Sequence, residues 1–552
     1  MLRIRWLGKV PYQEALTLQR SLFSLSKDDY LLLLEHPAVY TMGPRTNPAH
    51  ILEDHSSLGA DIVFTDRGGD VTFHGPGQLV GYPILSFVLR PGVVADHVNT
   101  IEQVVIDALV DLGVNGATRK PGCPGVWFIP ESGQPRKICA IGVKMSRGRT
   151  MHGFALNVST DPSWFDKIVP CGIEGAAVTS LVLEGYEFEL SSVVDAIVAR
   201  AGMAWGDFGI DTANSSMLRE GESLKESSAG VSFRSQNPIP GAHSSSGTHV
   251  PVAISERKPH WLRAKAEMGS EYRKLKATMR ELDLVTVCEE AGCPNIYECW
   301  AEGTSTFMIN GDRCTRACGF CLVDTRRPLA MDPDEPDRVA EAVARMKLTH
   351  AVVTAVARDD LEDGGASGFC RTITAIRSRC PGTSIEVLIP DCKGKVASLV
   401  AIFASQPDVL NHNLETVLRL QRKVRPSAGY ARSLAVLASA KAAGLTTKSG
   451  LMVGLGETEE ELIGALADLR AVGVDIVTIG QYLRPSRQHL EVSKWWTPDE
   501  IQHVGQLASS MGFSHVEASP LARSSYHARR ALEVSDPRSV QADSQIYPIK
   551  VS

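Results

Sequence analysis

The chain has 552 residues, with 57 Lys and Arg against 63 Asp and Glu, so its formal net charge is −6. This length predicts several domains. A hydrophobic fraction of 43% with 22% charged residues excludes collagen-like, largely disordered and coiled-coil chains. No apolar run reaches the ~18 residues of a membrane span, and the first ten residues lack the apolar core of a secretory signal. The mildly acidic charge balance argues against general nucleic-acid binding. We therefore expect a cytoplasmic protein.

Short β-type runs dominate the first 210 residues. One amphipathic helix interrupts them, with Val98, Ile101, Val105, Leu109 and Leu112 at helical spacing. Glycine and proline turns separate the runs, which are Tyr30–Leu34, Ile62–Thr65, Val71–His74, Leu79–Leu85, Ile138–Val143 and Phe154–Val158. This pattern predicts an α+β domain over residues 1–210.

The segment from Arg67 to Gln78 carries four glycines within ten positions, interleaved with Arg67 and His74. Glycine lets a backbone approach a ligand closely. A simple turn rarely needs four glycines, so this segment indicates a ligand site.

A thiol beside an amine is the second chemical signal in this domain. Cys171 and Cys123 both lie in Pro- and Gly-containing loops, whereas Cys139 falls inside a strand-like run and is expected to be buried. A cationic amine lowers the pKa of a nearby thiol, and both Lys137 and Lys144 are candidates. Spacing alone chooses neither the thiol nor the amine.

Residues 211–257 differ from the rest of the chain in composition. They hold eleven serines, four glycines and three prolines, and few apolar side chains. Such a segment cannot bury enough surface to offset its chain entropy. We predict a flexible linker here, between the first domain and a second domain over residues 258–552.

Strands and helices alternate after the linker. The strand-like runs Ala351–Ala355, Ile385–Ile389, Thr447–Val453 and Asp475–Ile479 precede helical patterns near 367–379, 396–404, 458–472 and 498–511. Repeated strand–helix units predict an α/β domain with a parallel sheet, either open or closed into a barrel.

Cysteines cluster at the start of the second domain. Cys314, Cys318 and Cys321 have x3-x2 spacing, which suits three irons of a [4Fe–4S] cluster and leaves the fourth iron open to a small molecule. Zinc sites usually use paired C-x2-C units with four ligands, and that arrangement is absent from this loop. A second trio, Cys288, Cys293 and Cys299, lies just upstream.

The Cys314 trio resembles that of the radical S-adenosylmethionine family. The resemblance implies a partial (β/α)6 barrel, S-adenosylmethionine bound at the open iron, and a 5′-deoxyadenosyl radical that abstracts hydrogen from C–H bonds. Arg358, Asp359, Asn413 and Arg425 are polar residues that either contact this cofactor or form structural ion pairs.

Both cysteine trios together resemble those of lipoyl synthase. The agreement continues through Thr354–Asp360, Asn411–Thr416, Lys448–Thr458 and Arg523–Tyr526 and covers essentially all of 258–533. It implies a second [4Fe–4S] cluster on Cys288, Cys293, Cys299 and Ser525. It also implies insertion of two sulfur atoms at C6 and C8 of a protein-bound octanoyl chain.

The first domain resembles lipoyl (octanoyl) transferase over about 1–205, a family similar in fold to biotin– and lipoate–protein ligases. Lys137 begins the matching K-I-C-A-I-G string and Cys171 lies in the matching P-C-G string. The resemblance implies that both are catalytic. It also implies an acyl pocket lined by Arg67, Gly68, Gly69, Asp70, Val71, Thr72, Phe73, His74, Ala140, Ile141, Gly142, Gly153, Phe154 and Ala155.

These resemblances predict a bifunctional enzyme of lipoate assembly. Its expected partners are octanoyl acyl carrier protein, lipoyl domains of 2-oxoacid dehydrogenase complexes, the glycine cleavage H protein, and an electron donor such as ferredoxin or flavodoxin. A basic docking face for the acidic carrier is expected around Arg136, Lys144, Arg147 and Arg149. The alternatives are an enzyme with one active half and one docking half, and a zinc-binding scaffold.

Overall fold

A computed structural model describes residues 1–53, 58–170, 177–212, 258–262, 270–286 and 304–525. These residues form two compact units, one built on residues 1–212 and the other mainly on residues from 258 onward. From residue 213 onward, the predicted linker lies outside the described residues. Among the described helices, none combines the length and apolar character that a bilayer span requires.

The first unit is an α+β domain, as predicted. Its main sheet has the strand order β12-β1-β2-β6-β10-β9-β8-β7, with β11 paired to β9, and a small sheet has the order β4-β3-β5. In chain order the elements are β1 (Leu2–Lys9), α1 (Tyr12–Leu25), β2 (Asp29–Glu35), β3 (Val39–Met42), β4 (Asp61–Phe64), β5 (Thr72–His74), β6 (Gln78–Ile84), α2 (Val93–Asp111), β7 (Ala117–Lys120), β8 (Cys123–Phe128), β9 (Arg136–Ser146), β10 (Arg149–Asn157), β11 (Ala177–Val178), α3 (Leu190–Trp205) and β12 (Ile210–Asp211).

The main sheet buries its apolar face against α2 and α3. Ile101, Val105 and Leu109 of α2 are fully buried in this core, because residues three to four apart share one helix face. Val193 and Ile197 contribute the same kind of stripe from α3. The predicted helix and all six predicted strands are present.

The second unit is built on one sheet whose strands follow sequence order from β13 to β20. The seven strands from β14 to β20 are parallel, and β13 is antiparallel to β14. The elements are α4 (Ser270–Glu281), β13 (Val285–Thr286), β14 (Thr304–Ile309), α5 (Glu335–Met346), β15 (His350–Ala355), α6 (Ala366–Arg379), β16 (Ser384–Leu388), α7 (Val396–Ala404), β17 (Val409–Asn411), α8 (Gln421–Val424), α9 (Tyr430–Ala442), β18 (Thr446–Val453), α10 (Glu459–Ala471), β19 (Ile476–Gln481), α11 (Pro498–Ser510) and β20 (His515–Ala518).

Six strand–helix units followed by a seventh strand confirm the predicted partial (β/α)6 barrel. In such an arrangement the carboxyl ends of all the parallel strands face the same edge, where ligands of α/β proteins usually bind. The three cysteines of the 314–321 loop follow the first of these strands, β14, at that edge.

Candidate functional sites

A cavity of about 410 Å³ lies in the first unit between the glycine-rich segment and strands β9 and β10. Thirteen residues assigned above to the acyl site or to catalysis line it: Arg67, Gly68, Gly69, Asp70, Thr72, His74, Lys137, Ala140, Ile141, Gly142, Gly153, Phe154 and Ala155. The fold therefore brings together residues that are up to 88 positions apart in sequence (155 − 67).

Val71 and Phe73, predicted for the same pocket, lie elsewhere. Alternate residues of an extended chain point to opposite faces, so Thr72 and His74 line the cavity while Val71 and Phe73 pack into a separate hydrophobic cluster. The Phe73 ring stacks on Trp164 at 4.9 Å in that cluster.

The glycines at this site let backbones pack directly on one another. A Cβ atom on Gly142 would lie 2.7 Å from the carbonyl oxygen of Gly68, and one on Gly153 would lie 2.1 Å from that of Gly81. Both distances are far shorter than a carbon–oxygen contact allows. Of the four glycines in the segment, Gly68 also packs closely, because its Cβ atom would lie 2.9 Å from the Val143 carbonyl oxygen. These approaches are between backbone segments, and the predicted approach to a ligand stays a prediction.

Lys137 is buried, with 6% of its surface exposed. Its Nζ atom lies 4.7 Å from the centre of the Trp127 ring. The Trp127 indole donates a hydrogen bond to the carbonyl oxygen of Cys123. Nothing in the sequence spacing pointed to Trp127.

Cys171 lies outside the described residues, which stop at Pro170 and resume at Ala177. The first residues described after Cys171 lie beside Lys137. Ala177 pairs with Arg136 and Val178 pairs with Lys137 in parallel strands. Of the other thiols, Cys123 lines the cavity. Cys139 is fully buried, and burial raises its thiol pKa well above the ordinary value.

Buried rings pack against the cavity. Tyr12, His74 and Tyr82 line it, and His36 packs behind them with ring centroids 5.1 to 5.9 Å away. Burial lowers the pKa of His36 to about 4, so its ring is neutral at pH 7. Its Nδ1–H donates to the Val10 carbonyl, which leaves Nε2 to accept from the Tyr82 hydroxyl.

Most of the basic residues near Lys137 already have partners. Arg136 makes two hydrogen bonds of 2.7 Å to Glu184, and Lys144 pairs with Asp66 at 2.6 Å. Arg149 donates to the carbonyl oxygens of Ser26 and Asp28. Arg147 is exposed in the turn between β9 and β10.

The Cys314–Cys321 loop of the second unit is held on several sides. Cys314 N–H donates to the Asp324 carbonyl and Thr315 N–H donates to the Ala357 carbonyl, at 2.8 and 3.0 Å. Further along, Gly319 N–H donates to the Val424 carbonyl at 2.9 Å. A His489 ring nitrogen lies 2.9 Å from the Cys321 carbonyl oxygen.

The donor set of this loop fits an iron–sulfur cluster. The three thiols are partly exposed, and Cys314 and Cys321 lie close enough to Cys318 for a negative charge on either to raise its pKa. Burial raises the pKa of Cys318 to about 12, so a metal centre would have to displace its proton. No group of three or more His, Cys, Asp and Glu side chains among the described residues converges on a single metal ion. A four-iron cube instead takes its thiolates on separate irons.

The polar residues near this loop make internal contacts. Arg358 pairs with Asp360 at 2.9 Å, and Asp359 pairs with Arg316. Arg425 donates to the Asn413 carbonyl at 2.9 Å. Arg316, between the first two cysteines, was missed in the sequence, although a charged residue inside a cysteine loop is a usable signal.

The predicted ligands of the auxiliary cluster are described only in part. Cys288, Cys293 and Cys299 lie outside the described residues. Ser525 is half-buried, and its neighbour Ser524 accepts a 2.6 Å hydrogen bond from the Asn413 amide. Asn413 follows β17, so this bond holds the Ser524–Ser525 segment at the carboxyl edge of the sheet.

Family models match both halves of the chain. The lipoyl protein ligase A/B catalytic domain matches residues 11–201. The N-terminal domain of lipoyl synthase matches residues 245–293, and the radical SAM superfamily matches residues 308–469.

Relatives of known identity match the second half. A lipoyl synthase of Rubrobacter xylanophilus is 55% identical over 278 residues, which is 50% of this chain and 87% of that protein. One from Tropheryma whipplei is 52% identical over 281 residues, which is 51% of this chain and 79% of that protein. A solved bipartite lipoate protein ligase of Thermoplasma acidophilum covers 37% of this chain and 84% of its own, at 16% identity and a TM-score of 0.31.

The family-model match to residues 11–201 confirms the ligase-like fold class predicted for the first domain. The chain belongs to the lipoyl synthase family, and a lipoyl protein ligase A/B catalytic domain precedes its radical SAM domain.

Proposed function

We propose that this chain performs two consecutive steps of lipoate biosynthesis. The first domain would transfer octanoate from acyl carrier protein to a lysine of a lipoyl domain, and the second would insert two sulfur atoms at C6 and C8 of that octanoyl chain. One observation carries the first step: Lys137 lies on the wall of a glycine-lined cavity, and the segment after Cys171 rejoins the described chain beside it.

In the proposed transfer Cys171 is the nucleophile and Lys137 moves the proton. The Cys171 thiol gives its proton to Lys137 and attacks the carrier thioester, and the carrier thiolate leaves and takes that proton. The target lysine amine then attacks the Cys171 thioester. The amide forms, and Lys137 passes the amine's proton to the departing Cys171 thiolate.

The cavity suits an acyl chain. Ile141, Phe154, Ala155 and Val98 supply apolar surface, which favours burial of octanoate by roughly 0.8 kcal/mol per CH2 group. The neutral His36 ring behind Tyr12 and Tyr82 adds no charge at pH 7.

In the second domain, Cys314, Cys318 and Cys321 would hold the cluster that binds S-adenosylmethionine. Cys288, Cys293, Cys299 and Ser525 would hold the auxiliary cluster. When bound, the first cluster supplies the electron that cleaves the cofactor and the second supplies sulfur. The chain's own contribution is to hold the cysteine loop and Ser525 at the same edge of the sheet, through the contacts of Gly319, His489 and Asn413.

One experiment tests both steps. The reconstituted chain is incubated anaerobically with octanoyl acyl carrier protein, S-adenosylmethionine, reductant and an apo lipoyl domain. Mass spectrometry of that domain should show octanoyl and then lipoyl adducts. A domain that gains neither adduct would refute the proposal.

The matched variant is Cys171→Ala. It should leave the apo domain unmodified yet still convert a pre-octanoylated domain to the lipoyl form. Octanoylation by this variant at the wild-type rate would exclude Cys171 as the nucleophile and point to Cys123, which also lines the cavity.

A further inference from the structure

The loop between Cys314 and Cys318 contains one buried arginine. Arg316 is 7% exposed, and its guanidinium donates to both carboxylate oxygens of Asp359 at 2.7 and 2.8 Å. It also donates to Oδ1 of Asp391 at 2.6 Å. A planar guanidinium can hold two carboxylates in fixed directions, which a lysine ammonium cannot do.

The two carboxylates belong to successive units of the barrel. Asp359 follows β15 and Asp391 follows β16, and these strands are parallel neighbours. Arg316 therefore ties the cysteine loop to two adjacent loops at once. Thr315 strengthens the first connection, since its hydroxyl donates to the Ala357 carbonyl and accepts from the Asp359 N–H, at 2.8 and 3.0 Å.

The far side of the loop is held differently. Gly319 and Cys321 bond through backbone atoms to Val424, Leu490 and His489. Within the described part of the loop, Arg316 is thus the charged side chain that connects the Cys314–Cys318 half to the strand ends. Its partner Asp391 has a fully buried side chain, so loss of the guanidinium would leave a buried carboxylate beside the loop and push the loop outward.

We propose that Arg316 is a positioning residue for the cluster held by Cys314, Cys318 and Cys321. By clamping Asp359 and Asp391 it fixes the separation of the first two thiolates. This role rests on the cluster assignment in the proposed function. Partners of this kind, one shell beyond the ligands, typically change metal retention by about 10- to 100-fold.

The test compares Arg316→Met and Arg316→Lys in the reconstituted full chain. Iron release to a chelator is followed by absorbance, and the reduced cluster is followed by electron paramagnetic resonance with and without S-adenosylmethionine. We expect part of the iron in Arg316→Met to leave about tenfold faster and the response of the spectrum to S-adenosylmethionine to be lost. Arg316→Lys should be intermediate.

Arg419→Met is the matched control. Arg419 also forms a bidentate pair, with Glu461 at 2.7 and 2.8 Å, but outside the cysteine loop. It should lower the melting temperature without changing iron release or the spectrum. If Arg316→Met does not fold, Asp391→Asn removes one carboxylate at constant size and should give the same faster release.

Two results would overturn the proposal. The first is that Arg316→Met or Asp391→Asn releases iron at the wild-type rate and gives the wild-type spectrum. The second is that Arg419→Met speeds iron release as much as Arg316→Met does. If the wild-type chain assembles no cluster that responds to S-adenosylmethionine, the cluster assignment itself fails. An intact wild-type cluster with unaffected variants refutes only the role of Arg316.

Discussion

Thr179 donates its backbone N–H to the carbonyl oxygen of Lys137 at 3.0 Å. The preceding residue, Val178, pairs with Lys137 in the parallel strands β11 and β9. Thr179 is in turn held by Asn157, whose amide donates to the Thr179 carbonyl at 2.9 Å. Gln78 donates to the other end of that amide at 2.9 Å. A buried chain of bonds thus runs from the glycine-rich segment to the strand that follows the Cys171 segment.

Asn157→Ala should slow octanoyl transfer. It leaves the Gln78 amide and the Thr179 carbonyl without their partner, a loss of about 1–3 kcal/mol, and releases the strand beside Lys137. We expect kcat to fall about tenfold with little change in KM, measured by mass spectrometry of the lipoyl domain. Asn115→Ala, at an exposed position, is the control. A kcat unchanged by Asn157→Ala would contradict the proposed link.

Gly142→Ala should block the cavity. The new methyl group would sit 2.7 Å from the Gly68 carbonyl oxygen, so the glycine-rich segment must move, at a cost of about 1–3 kcal/mol. Octanoyl transfer should drop at least about tenfold. The control is Gly382→Ala, where a methyl group meets open space, and it should leave octanoyl transfer unchanged. Normal transfer by Gly142→Ala would show that close packing of Gly142 on Gly68 is not needed for activity.

The stability of the first unit should fall as the pH drops below 6.5. Burial lowers the folded-state pKa of His36 to about 4 against an ordinary value of 6.5. The folded state therefore binds this proton less readily than the unfolded state. The contribution is fully present above pH 6.5 and is lost between pH 6.5 and 4, by up to roughly 3 kcal/mol.

Hydrogen exchange of β2 and β6 in the full chain measures this dependence. His36→Gln keeps a hydrogen-bonding side chain that does not titrate, so exchange protection, corrected for the intrinsic rate, should depend less on pH in this variant. The same pH dependence in variant and wild type would assign the effect to other groups, such as His97 and His152, whose pKa values burial also lowers to about 4.

Lys448→Met should destabilise the second unit. Lys448 and Glu386 are both 1% exposed and pair at 3.1 Å inside the barrel. Burial would raise the pKa of Glu386, but the Lys448 charge and other partners hold it at about 2. Without the lysine a buried carboxylate is left uncompensated, which costs about 3–5 kcal/mol.

Urea unfolding at pH 7 measures the loss. The double variant Glu386→Gln with Lys448→Met should recover part of it, because no buried charge remains. Equal unfolding free energies for Lys448→Met and wild type would show that the pair contributes nothing net.

Arg147→Glu should weaken the use of acyl carrier protein. Arg147 is exposed, whereas Arg149 supports the Ser26–Asp28 turn, so reversing the charge of Arg147 leaves that turn intact. We expect KM for octanoyl acyl carrier protein to rise about three- to tenfold at low salt and the difference to shrink as salt increases. A KM that is unchanged at every salt concentration would exclude a docking role.

Periodic elements were predictable from the sequence, and elements stabilised by distant charges were not. Helix α7 has the predicted bounds, and α6, α10 and α11 differ by one residue at an end or at both ends. Strand β1 was missed because Arg3 and Arg5 make it look polar. It forms because Asp28 and Asp211, from distant segments, pair with these arginines.

In the candidate sites, too, local motifs were readable from the sequence and contacts between separate elements were not. The resemblance named the residues that line the cavity, but it did not reveal the alternation of side chains along β5 that turns Val71 and Phe73 into a separate cluster. Trp127 contacts Lys137 across two neighbouring strands, and Arg316 contacts carboxylates in two other loops. No local spacing encodes such contacts.

The strands of the two sheets can pair at different times while the chain is being synthesised on the ribosome. Each strand from β14 to β20 pairs with the strand synthesised just before it, so the second sheet can grow one strand at a time during translation. In the first sheet Leu2 pairs with Ile210, and that pairing must wait for more than 200 residues of synthesis. The edge of β1 stays exposed to wrong partners throughout this wait, so slow translation before residue 210 lengthens the time in which the first domain can mispair.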